Sequence, residues 1–441
     1  MMRYDDITGL IGDTPLLRLD PAVHGLGEVE LYAKLESCNP FGSVKDRVAW
    51  GMIADDIDDI AERGQTLIEA SSGNTAKALR ILGARRGIGL HAITNRIKVE
   101  EVRDLLQLLG TRIEELPGLS ECPDPTTPND VYSVIETTMA KSPGAYRHPS
   151  QYTNEKNIDA HYRGTGREIH DDLAAAGLRA DYLIGGLGTT GSTRGTATFL
   201  REHNPALRTI AVVSQRSDFI PGIRSEAEMW DVGLFRPDFY DRIVTVDSAQ
   251  AIESTLELAT GYGILAGPTS GAAYAAALEV LRERPPGSPP AVAVLIVCDR
   301  IEPYLSYIRK RRPDLFGRTA AAAPPSPAEL DAVTRLSPRQ LRELDATARA
   351  TVVDTRGAMA YRIGHIPGAI NIRDDQLDDM FAHGVPFSRS RPVVFVCPVG
   401  DLSLRFAALA ARAGYDAASL DGGVLAWRDA GFDLESAAPR G

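Results

Sequence analysis

The sequence alternates short apolar stretches of strand character with amphipathic stretches of helical character along most of its length. The strand candidates include 29–35 (VELYAKL), 66–70 (TLIEA), 90–94 (LHAIT) and 291–299 (AVAVLIVCD). A long helix is predicted over 44–64, where the apolar residues follow helical spacing. Strands that alternate with helices indicate an α/β fold with a mostly parallel sheet covered on both faces. Such sheets bind ligands beyond the carboxyl ends of their strands.

A break in composition divides the chain. The stretch TAAAAPPSPAEL (319–330) consists mostly of alanine and proline, which cannot build a core, so we expect a linker over 318–333. It separates a large domain, 1–317, from a small one, 334–441. The small domain repeats the alternation with the strand candidates ATVVDTR, GAINI and PVVFVC and an amphipathic helix, SLRFAALAARAGY.

Composition excludes several classes of protein. The net charge of −11 argues against wrapping nucleic acid or anionic membrane through the overall field. We expect no transmembrane helix, because no apolar run is long enough, and no signal peptide, because the N-terminus lacks an apolar core. The four cysteines show no CxxC spacing and the histidines no ligand pairing, so we expect a cytoplasmic protein without a metal site.

Two turns rich in glycine and hydroxyl residues follow strand candidates. In ASSGNTAKAL (70–79), hydroxyl, amide and N–H groups at a helix N-terminus suit a carboxylate, although an ordinary helix cap is an alternative. In GGLGTTGSTRG (185–195), the glycines and hydroxyls suit a phosphate cradle. The second turn matches neither GK[ST] nor GxGxxG, so it does not indicate nucleotide binding. A third turn of this kind, AGPTSGA, begins at Ala266.

A lysine lies at a predicted helix start in NPFGSVKDR. Lys45 is flanked by Ser43 and Asp46, and a lysine amine whose pKa is lowered by its surroundings can form a Schiff base with an aldehyde. A phosphate cradle together with such a lysine is what pyridoxal 5'-phosphate requires. The sequence therefore predicts this cofactor.

Four motifs, NPFGSVKDR, SSGNT, GLGTTGS and AGPTSGA, occur in the order seen in fold-type II pyridoxal-phosphate enzymes. Over about residues 4–310 the chain resembles the cysteine synthase and cystathionine β-synthase group, which implies a two-lobed fold like that of the tryptophan synthase β-subunit and a homodimer. By this resemblance Lys45 carries the cofactor, Asn74 contacts the ring hydroxyl and Thr269 faces the pyridine nitrogen. The resemblance assigns the phosphate to Gly188, Thr189, Thr190, Gly191 and Ser192, and the substrate carboxylate to Ser71, Ser72, Thr75 and Gln151.

The resemblance implies β-replacement on an O-activated L-serine through an aminoacrylate, with Lys45 as the base. The stretches 151–169 and 186–203 are most similar to O-phosphoserine-using members, and Arg216 falls where those place a phosphate-binding arginine. We therefore favour O-phosphoserine over O-acetylserine. The chain departs from the family pattern at Ala76, where glycine is usual, and at Thr269, where serine is usual. It also lacks the usual Pro- and Ser-rich stretch after the SGNT helix.

A cysteine ends the last apolar strand of the small domain. Cys397 precedes a short loop that leads into a helix, where N–H groups can stabilise a thiolate or persulfide. The motifs VVDTRGAMAYRIGHIPGAINI and LDGGVLAW frame it, and over residues 334–434 the chain resembles a rhodanese domain. The resemblance makes Cys397 the persulfide carrier. The loop contains Asp401 and no basic residue, so we expect it to repel thiosulfate and to favour a protein-bound or uncharged persulfide donor.

Together the two domains predict an enzyme that adds sulfur delivered by the Cys397 persulfide to an O-activated serine. The product is L-cysteine or a related β-substituted alanine, and a sulfane-sulfur donor or sulfur-carrier protein is the expected partner. A cysteine desulfhydrase and a 2,3-diaminopropionate-type synthase using an amine nucleophile are the alternatives. Cys298 ends an apolar strand and is predicted to lie in the core, Cys38 is predicted to pack, and Cys122 is assigned no role.

Overall fold

The computed structural model describes residues 3–94, 97, 99–116, 131–216, 218–316, 324–348, 350–385 and 387–436. The chain divides into two compact units. The first comprises residues 1–115 and 130–311, and the second contains the remaining residues, of which 324–436 carry its strands and most of its helices. The predicted α/β fold class is confirmed for both units. Within the described ranges no helix is long and apolar enough to cross a membrane.

The first unit contains two sheets. Its strands are β1 (Leu16–Arg18), β2 (Val29–Leu35), β3 (Thr66–Ala70), β4 (Leu90–Thr94), β5 (Arg112–Glu115), β6 (Tyr146–Arg147), β7 (Tyr182–Gly186), β8 (Arg208–Ser214), β9 (Arg242–Val246) and β10 (Ala291–Val297). The six-stranded sheet has the order β1-β2-β10-β7-β8-β9 and the four-stranded sheet the order β5-β4-β3-β6. Only β1 pairs antiparallel among these strands. Strand β10 is buried along its whole length, which explains its unbroken apolar sequence.

Helices pack on both sheets of the first unit. They are α1 (Pro21–His24), α2 (Lys45–Ile53), α3 (Ile57–Glu62), α4 (Asn74–Ala84), α5 (Glu100–Leu108), α6 (Val131–Lys141), α7 (Lys156–Ala160), α8 (Arg167–Ala175), α9 (Gly191–His203), α10 (Ser248–Tyr262), α11 (Pro268–Arg282) and α12 (Leu305–Arg311). A π-helical turn, His161–Gly166, joins α7 to α8. One apolar core lies between α11 and the six-stranded sheet, and a second lies beneath α2 and α4.

The single helix predicted over 44–64 is wrong. The chain forms α2 and α3, which are separated at residues 54–56, where Asp56 leaves the helical region with φ −126° and ψ 8°. The Asp56 carboxylate accepts a hydrogen bond from Arg147 Nε at 2.9 Å. Arg147 belongs to β6, a two-residue strand that local pattern did not indicate. A contact between distant parts of the chain therefore accompanies the break that helical periodicity alone does not predict.

The second unit is a smaller parallel α/β layer. Its strands are β11 (Thr334–Leu336), β12 (Thr351–Asp354), β13 (Ile370–Asn371), β14 (Val393–Val396) and β15 (Ala417–Leu420), in the order β11-β15-β14-β12-β13. Its helices are α13 (Pro327–Asp331), α14 (Pro338–Ala348), α15 (Ala358–Ile363), α16 (Asp374–His383), α17 (Asp401–Arg412) and α18 (Gly423–Asp429). Apolar residues of α17 and of the strands share its largest core.

The predicted linker differs from the structure at its C-terminal end. Residues 327–331 form α13, which Ser326 caps, and Glu329 of this helix pairs with Arg412 of α17 at 2.7 Å. This part of the stretch is therefore folded onto the second unit. The part of the predicted linker over 318–323 lies outside the described residues, as does Cys122.

Candidate active site

A cavity of about 170 Å³ lies in the first unit, beyond the carboxyl ends of β3, β7 and β10. Strands of both sheets therefore supply residues to it. The residues predicted from sequence that line it are Lys45, Ser71, Ser72, Asn74, Thr75, Gln151, Gly188, Thr189, Thr190, Ser192 and Thr269. Among the predicted residues, Gly191 and Arg216 do not line it.

Lys45 is the first residue of α2, and its side chain reaches the cavity. Its amine makes no hydrogen bond to any residue that the structure describes, and burial lowers its pKa. Cys298, which directly follows β10, belongs to a buried core as predicted, and it also lines the cavity. Burial raises the pKa of the Cys298 thiol to about 12, so this thiol stays protonated. An amine of lowered pKa and a protonated thiol therefore line the same cavity.

The start of α4 forms the first polar corner of the cavity. Ser71 Oγ accepts a hydrogen bond from the Ala76 N–H at 3.1 Å, and the Thr75 hydroxyl donates to Gln151 Oε1 at 2.7 Å. Gln151 Nε2 donates to the Ala70 carbonyl at 2.8 Å, which fixes Gln151 against the end of β3. The structure therefore brings together the four residues that sequence resemblance assigns to a carboxylate, although Gln151 is distant from the others in the chain.

The loop before α9 forms the second polar corner. A Cβ atom at Gly188 would lie 2.6 Å from the Gly222 carbonyl oxygen, and one at Gly191 would lie 2.0 Å from Asn157 Oδ1, so both positions require glycine. Thr190 has a left-handed φ of 69°, and no side chain caps the N-terminus of α9. The first N–H groups of a helix have no acceptor within the helix and favour an anion. This loop fits a phosphate group.

Asn157 is a site residue that sequence reasoning missed. Its amide nitrogen donates to the Thr189 hydroxyl at 2.9 Å and to the Gln151 backbone carbonyl at 2.8 Å. Asn157 is fully buried in α7 and connects the phosphate-type corner to the carboxylate-type corner. Its position in QYTNEKN, six residues after Gln151, was the available signal, but a polar residue in a short helix is usually a surface residue.

The remaining predicted residues of the first unit, Thr269 and Arg216, differ in whether they line the cavity. Thr269, at the start of α11, lines the cavity, and its hydroxyl donates a short hydrogen bond to the Pro221 carbonyl. Arg216 follows β8 and is exposed. Arg224 lies closer to the cavity, because its guanidinium packs over the ring of Tyr152 at 4.9 Å, and Tyr152 lines the cavity. Sequence reasoning did not single out Arg224.

Cys397 of the second unit directly follows β14 and is fully buried. Its Sγ accepts hydrogen bonds from the Gly400 N–H at 3.1 Å and from the Ser403 hydroxyl at 3.4 Å. Ser403 is in turn hydrogen-bonded to Ser419 of β15 at 2.9 Å. Gly400 has φ 102°, which turns its N–H toward the sulfur. The loop thus surrounds the sulfur with donors, as a thiolate or persulfide requires.

The charged residues closest to this loop along the chain are Asp401 and Arg405. Asp401 is the first residue of α17 and is exposed. The nearest arginine along the chain, Arg405, is paired with Asp378 of α16 at 2.6 Å. Arg356 and Asp354, from one of the framing motifs, form an ion pair at 2.7 Å that bridges the end of β12 to the Gly364 carbonyl. Their contacts are structural.

The site combines an amine of lowered pKa, a helix N-terminus shaped for phosphate and a second polar corner for a carboxylate. This combination suits an enzyme that acts on amino acids with a phosphorylated aldehyde as its cofactor. The model of the pyridoxal-phosphate dependent enzyme family matches residues 7–299, and that of the rhodanese-like domain matches residues 337–430. The chain belongs to the pyridoxal-phosphate dependent enzyme family, as a cysteine synthase-family enzyme with a C-terminal rhodanese-like domain. The predicted cofactor, pyridoxal 5'-phosphate, is confirmed.

The relatives that match this chain align with its first unit. Cysteine synthase B of Salmonella typhimurium is 32% identical over 303 residues, which are 67% of this chain and 93% of that protein. O-ureido-L-serine synthase of Streptomyces lavendulae is 31% identical over 314 residues, or 69% of this chain and 92% of that protein. A crystal structure of a hydrogen sulfide-producing enzyme from Fusobacterium nucleatum has a TM-score of 0.60 and 28% identity, and the match covers 69% of this chain and all of that one.

Proposed function

We propose that the first unit catalyses β-replacement on an O-activated L-serine and that Cys397 of the second unit supplies the sulfur. The observation that carries the first part is that the Lys45 amine shares one cavity with two anion-binding corners. When pyridoxal phosphate is bound, it withdraws electrons from the amino-acid Cα and so permits loss of the Cα proton and the Cβ substituent. Residues of this chain would bind the cofactor and the substrate and accept the proton.

The two corners hold the ends of the reacting assembly. The N–H groups at the start of α9, with Thr189 and Ser192, would hold the cofactor phosphate. The start of α4, with Thr75 and Gln151, would hold the substrate carboxylate. Between them the Lys45 amine, which burial keeps easier to deprotonate than a free lysine, would accept the proton from Cα.

We propose O-phosphoserine as the preferred substrate over O-acetylserine. The sequence-based candidate for the phosphate contact, Arg216, is exposed, whereas Arg224 stacks on the cavity-lining Tyr152. Arg224 is therefore the better-placed cation. We expect Arg224→Ala to lower kcat/KM for O-phosphoserine by about tenfold to a hundredfold, the scale of a charge-assisted contact, and to leave O-acetylserine turnover unchanged. Arg216→Ala is the matched control. If neither variant selectively loses turnover of O-phosphoserine, the proposed preference for O-phosphoserine is wrong.

We propose further that a persulfide on Cys397 is the sulfur source. The Gly400 and Ser403 donors on Sγ support a persulfide, and the exposed Asp401 favours a neutral or protein-bound persulfide donor over thiosulfate. The outer sulfur of the persulfide would bond to Cβ as the Cβ substituent leaves, which gives a disulfide between Cys397 and the new amino acid. Two external thiols, oxidised to a disulfide, would cleave this bond, release L-cysteine or a related β-substituted alanine and restore the Cys397 thiol. A sulfur-carrier protein is one donor of the required kind.

Two alternatives have support among the relatives. The structure named a hydrogen sulfide-producing enzyme supports a cysteine desulfhydrase that releases sulfide. O-ureido-L-serine synthase, whose named product carries an oxygen-linked substituent, supports a nucleophile other than sulfur, and an amine-using synthase of the 2,3-diaminopropionate type is the alternative of this kind. Mass spectrometry of the products distinguishes the three. The purified enzyme is offered phosphoserine, acetylserine or cysteine, each with sulfide, a persulfide or an amine, and the proposed function predicts cysteine from phosphoserine and a sulfur donor.

A further inference from the structure

The side chain of Asn157 is confined between two helices. Asn157 belongs to α7 and is fully buried. The facing helix, α9, has glycine where it touches α7. A Cβ atom at Gly191 would lie 2.0 Å from Asn157 Oδ1, and one at Gly195 would lie 2.2 Å from the carbonyl oxygen of the next residue, Ile158. The backbone of α9 therefore packs directly against the Asn157 amide and holds it in place.

The hydrogen bonds of this amide fix its orientation. Its nitrogen, Nδ2, lies 2.8 Å from the Gln151 backbone carbonyl oxygen and 2.9 Å from Thr189 Oγ1. An amide nitrogen donates hydrogen bonds but does not accept them. Turning the amide over would bring its oxygen against the Gln151 carbonyl oxygen, which is also an acceptor. Asn157 is therefore the donor in both bonds, and the Thr189 hydroxyl oxygen is an acceptor.

This direction leaves the proton of the Thr189 hydroxyl without an acceptor in the protein. A hydroxyl carries one proton, and none of the described residues accepts it from Thr189. Asn157 does not take it, because Oδ1 of that amide makes no hydrogen bond within the described part of the chain. Thr189 is buried and lines the cavity. The oxygen atoms of a phosphate group in the cavity would supply the missing acceptor.

The next residue of the loop, Thr190, differs in this respect. Its hydroxyl donates to the Leu234 carbonyl at 3.1 Å, so its proton is used within the protein. Both threonines line the cavity, and resemblance assigned both to the phosphate. Of the two hydroxyls, only that of Thr189 has its proton available for a ligand in this structure. The hydrogen bond from Asn157 is what distinguishes it.

We propose that Asn157 is a positioning residue, which donates to the Thr189 oxygen and so directs the Thr189 hydroxyl to donate to the phosphate of pyridoxal phosphate. The proposal rests on the proposed binding of that phosphate at the start of α9. A hydroxyl that accepts a hydrogen bond is also a stronger donor, because hydrogen bonds in a chain polarise one another. The role requires no contact between Asn157 and the cofactor.

The affinity of the full chain for two aldehydes tests the proposal. Pyridoxal has the ring and the aldehyde of pyridoxal phosphate but lacks the phosphate, so comparing the two isolates phosphate binding. The full chain is freed of cofactor with hydroxylamine and titrated with each aldehyde, and absorbance gives the dissociation constant. We expect Asn157→Ala to weaken the binding of pyridoxal phosphate by about fivefold to tenfold, less than a whole hydrogen bond to a charged group, because Thr189 keeps its hydroxyl. Pyridoxal should bind as it does to the wild type. Equal weakening of both aldehydes, or of neither, would overturn the proposal.

Thr189→Val provides the matched background for a double-mutant cycle. It removes the hydroxyl and keeps the shape of the side chain, so we expect it to weaken the binding of pyridoxal phosphate by about tenfold to a hundredfold. Because Asn157 acts through this hydroxyl, Asn157→Ala should cause no further loss in that background. A further loss as large as in the wild type would mean that Asn157 supports the loop by packing alone, and would overturn the proposal.

Asn157→Asp provides a second variant in case Asn157→Ala does not fold. It keeps the shape of the side chain, but its carboxylate accepts hydrogen bonds, so the Thr189 proton would turn toward it and away from the phosphate. We expect pyridoxal phosphate to bind more weakly by about tenfold or more, with a smaller loss in the Thr189→Val background. An unchanged affinity for pyridoxal phosphate contradicts the proposal.

The titrations use no amino-acid substrate, so they do not depend on the serine ester or the sulfur donor. If Thr189→Val binds pyridoxal phosphate as tightly as the wild type, the proposed phosphate site is wrong and the positioning role fails with it. If Thr189→Val loses affinity but the Asn157 variants do not, the phosphate site stands and only the positioning role is wrong.

Discussion

The hydroxyl of Thr75 donates a hydrogen bond to the side-chain oxygen of Gln151 at 2.7 Å. This bond joins the start of α4 to the segment that follows β6, and both residues line the cavity. The pair therefore marks where two distant parts of the sequence meet to form the corner proposed for the substrate carboxylate.

Replacing Thr75 by valine removes this hydroxyl and keeps the shape of the side chain. We expect the KM for the amino-acid substrate to rise by about twofold to tenfold, because Gln151 loses the donor that holds its side chain and a neutral hydrogen bond contributes about 0.5–1.5 kcal/mol. Steady-state kinetics measure the change, with Thr75→Ser as the control that keeps the hydroxyl. A KM in Thr75→Val equal to that of the wild type would show that the hydroxyl does not position Gln151 for the substrate.

Asp46, next to Lys45, predicts a pH dependence of stability. Burial raises the pKa of its carboxyl to about 6 from a usual value of 3.8, although hydrogen bonds from the Phe41 N–H and the Ser43 hydroxyl oppose the rise. A raised pKa contributes stability that is present below the unfolded value and is lost as the pH rises through the folded value. Asp46 therefore costs stability at neutral pH.

In Asp46→Asn the amide oxygen can accept from the Phe41 N–H, and the amide nitrogen can donate to the Ser43 hydroxyl in place of the bond accepted from it. We expect this variant to gain stability relative to the wild type as the pH rises from about 3.5 to about 7.5. The gain follows from the shift of the pKa and amounts to about 3 kcal/mol. Urea unfolding of both proteins at the two pH values measures it. If the stability difference between the two proteins is the same at both pH values, the carboxyl titrates normally.

Local sequence predicted most of the site, since a turn that joins a strand to a helix is encoded in a few adjacent residues. The motif around Lys45 and the loop from Gly188 to Ser192 are of this kind, and both reach the cavity. The sequence also predicted strands such as β3, β4 and β10, whose apolar runs are buried. Cys397 directly follows such a strand, β14.

The remaining site residues could not be predicted in this way, because they depend on contacts between distant segments. Asn157 joins two loops across the site, and Asp299 accepts a hydrogen bond from Asn74, which lies more than two hundred residues away. Cys298 was correctly placed in the core, but the sequence did not show that this core residue also lines the cavity. Arg224 reaches the site only through the ring of Tyr152.

Asp401 predicts a weak reaction with thiosulfate. Its carboxylate lies at the first position of α17, within the loop that follows Cys397, and should repel the thiosulfate dianion. We expect Asp401→Asn to be persulfidated by thiosulfate about threefold to tenfold faster than the wild type in a single turnover at low ionic strength, and the difference should shrink as salt is added.

Asp416→Asn is the matched control for this substitution. Asp416 is also exposed, but it precedes β15, whereas Cys397 follows β14. Because these two strands are parallel, Asp416 lies at the opposite end of the strands from Cys397. It should leave the rate unchanged. A wild type that reacts with thiosulfate as fast as Asp401→Asn would show that the carboxylate does not select the donor.

The transfer of sulfur from Cys397 to the product is the central claim, and an isotope experiment tests it most directly. The purified enzyme receives O-phosphoserine with a persulfide whose outer sulfur is labelled, or with labelled free sulfide. After the reaction is quenched, a thiol reductant cleaves any disulfide to cysteine, and mass spectrometry measures the label in cysteine. We expect the wild type to incorporate label from both donors. Cys397→Ser should incorporate it from sulfide at the wild-type rate and lose incorporation from the persulfide. Equal incorporation from the persulfide by both proteins would contradict the account.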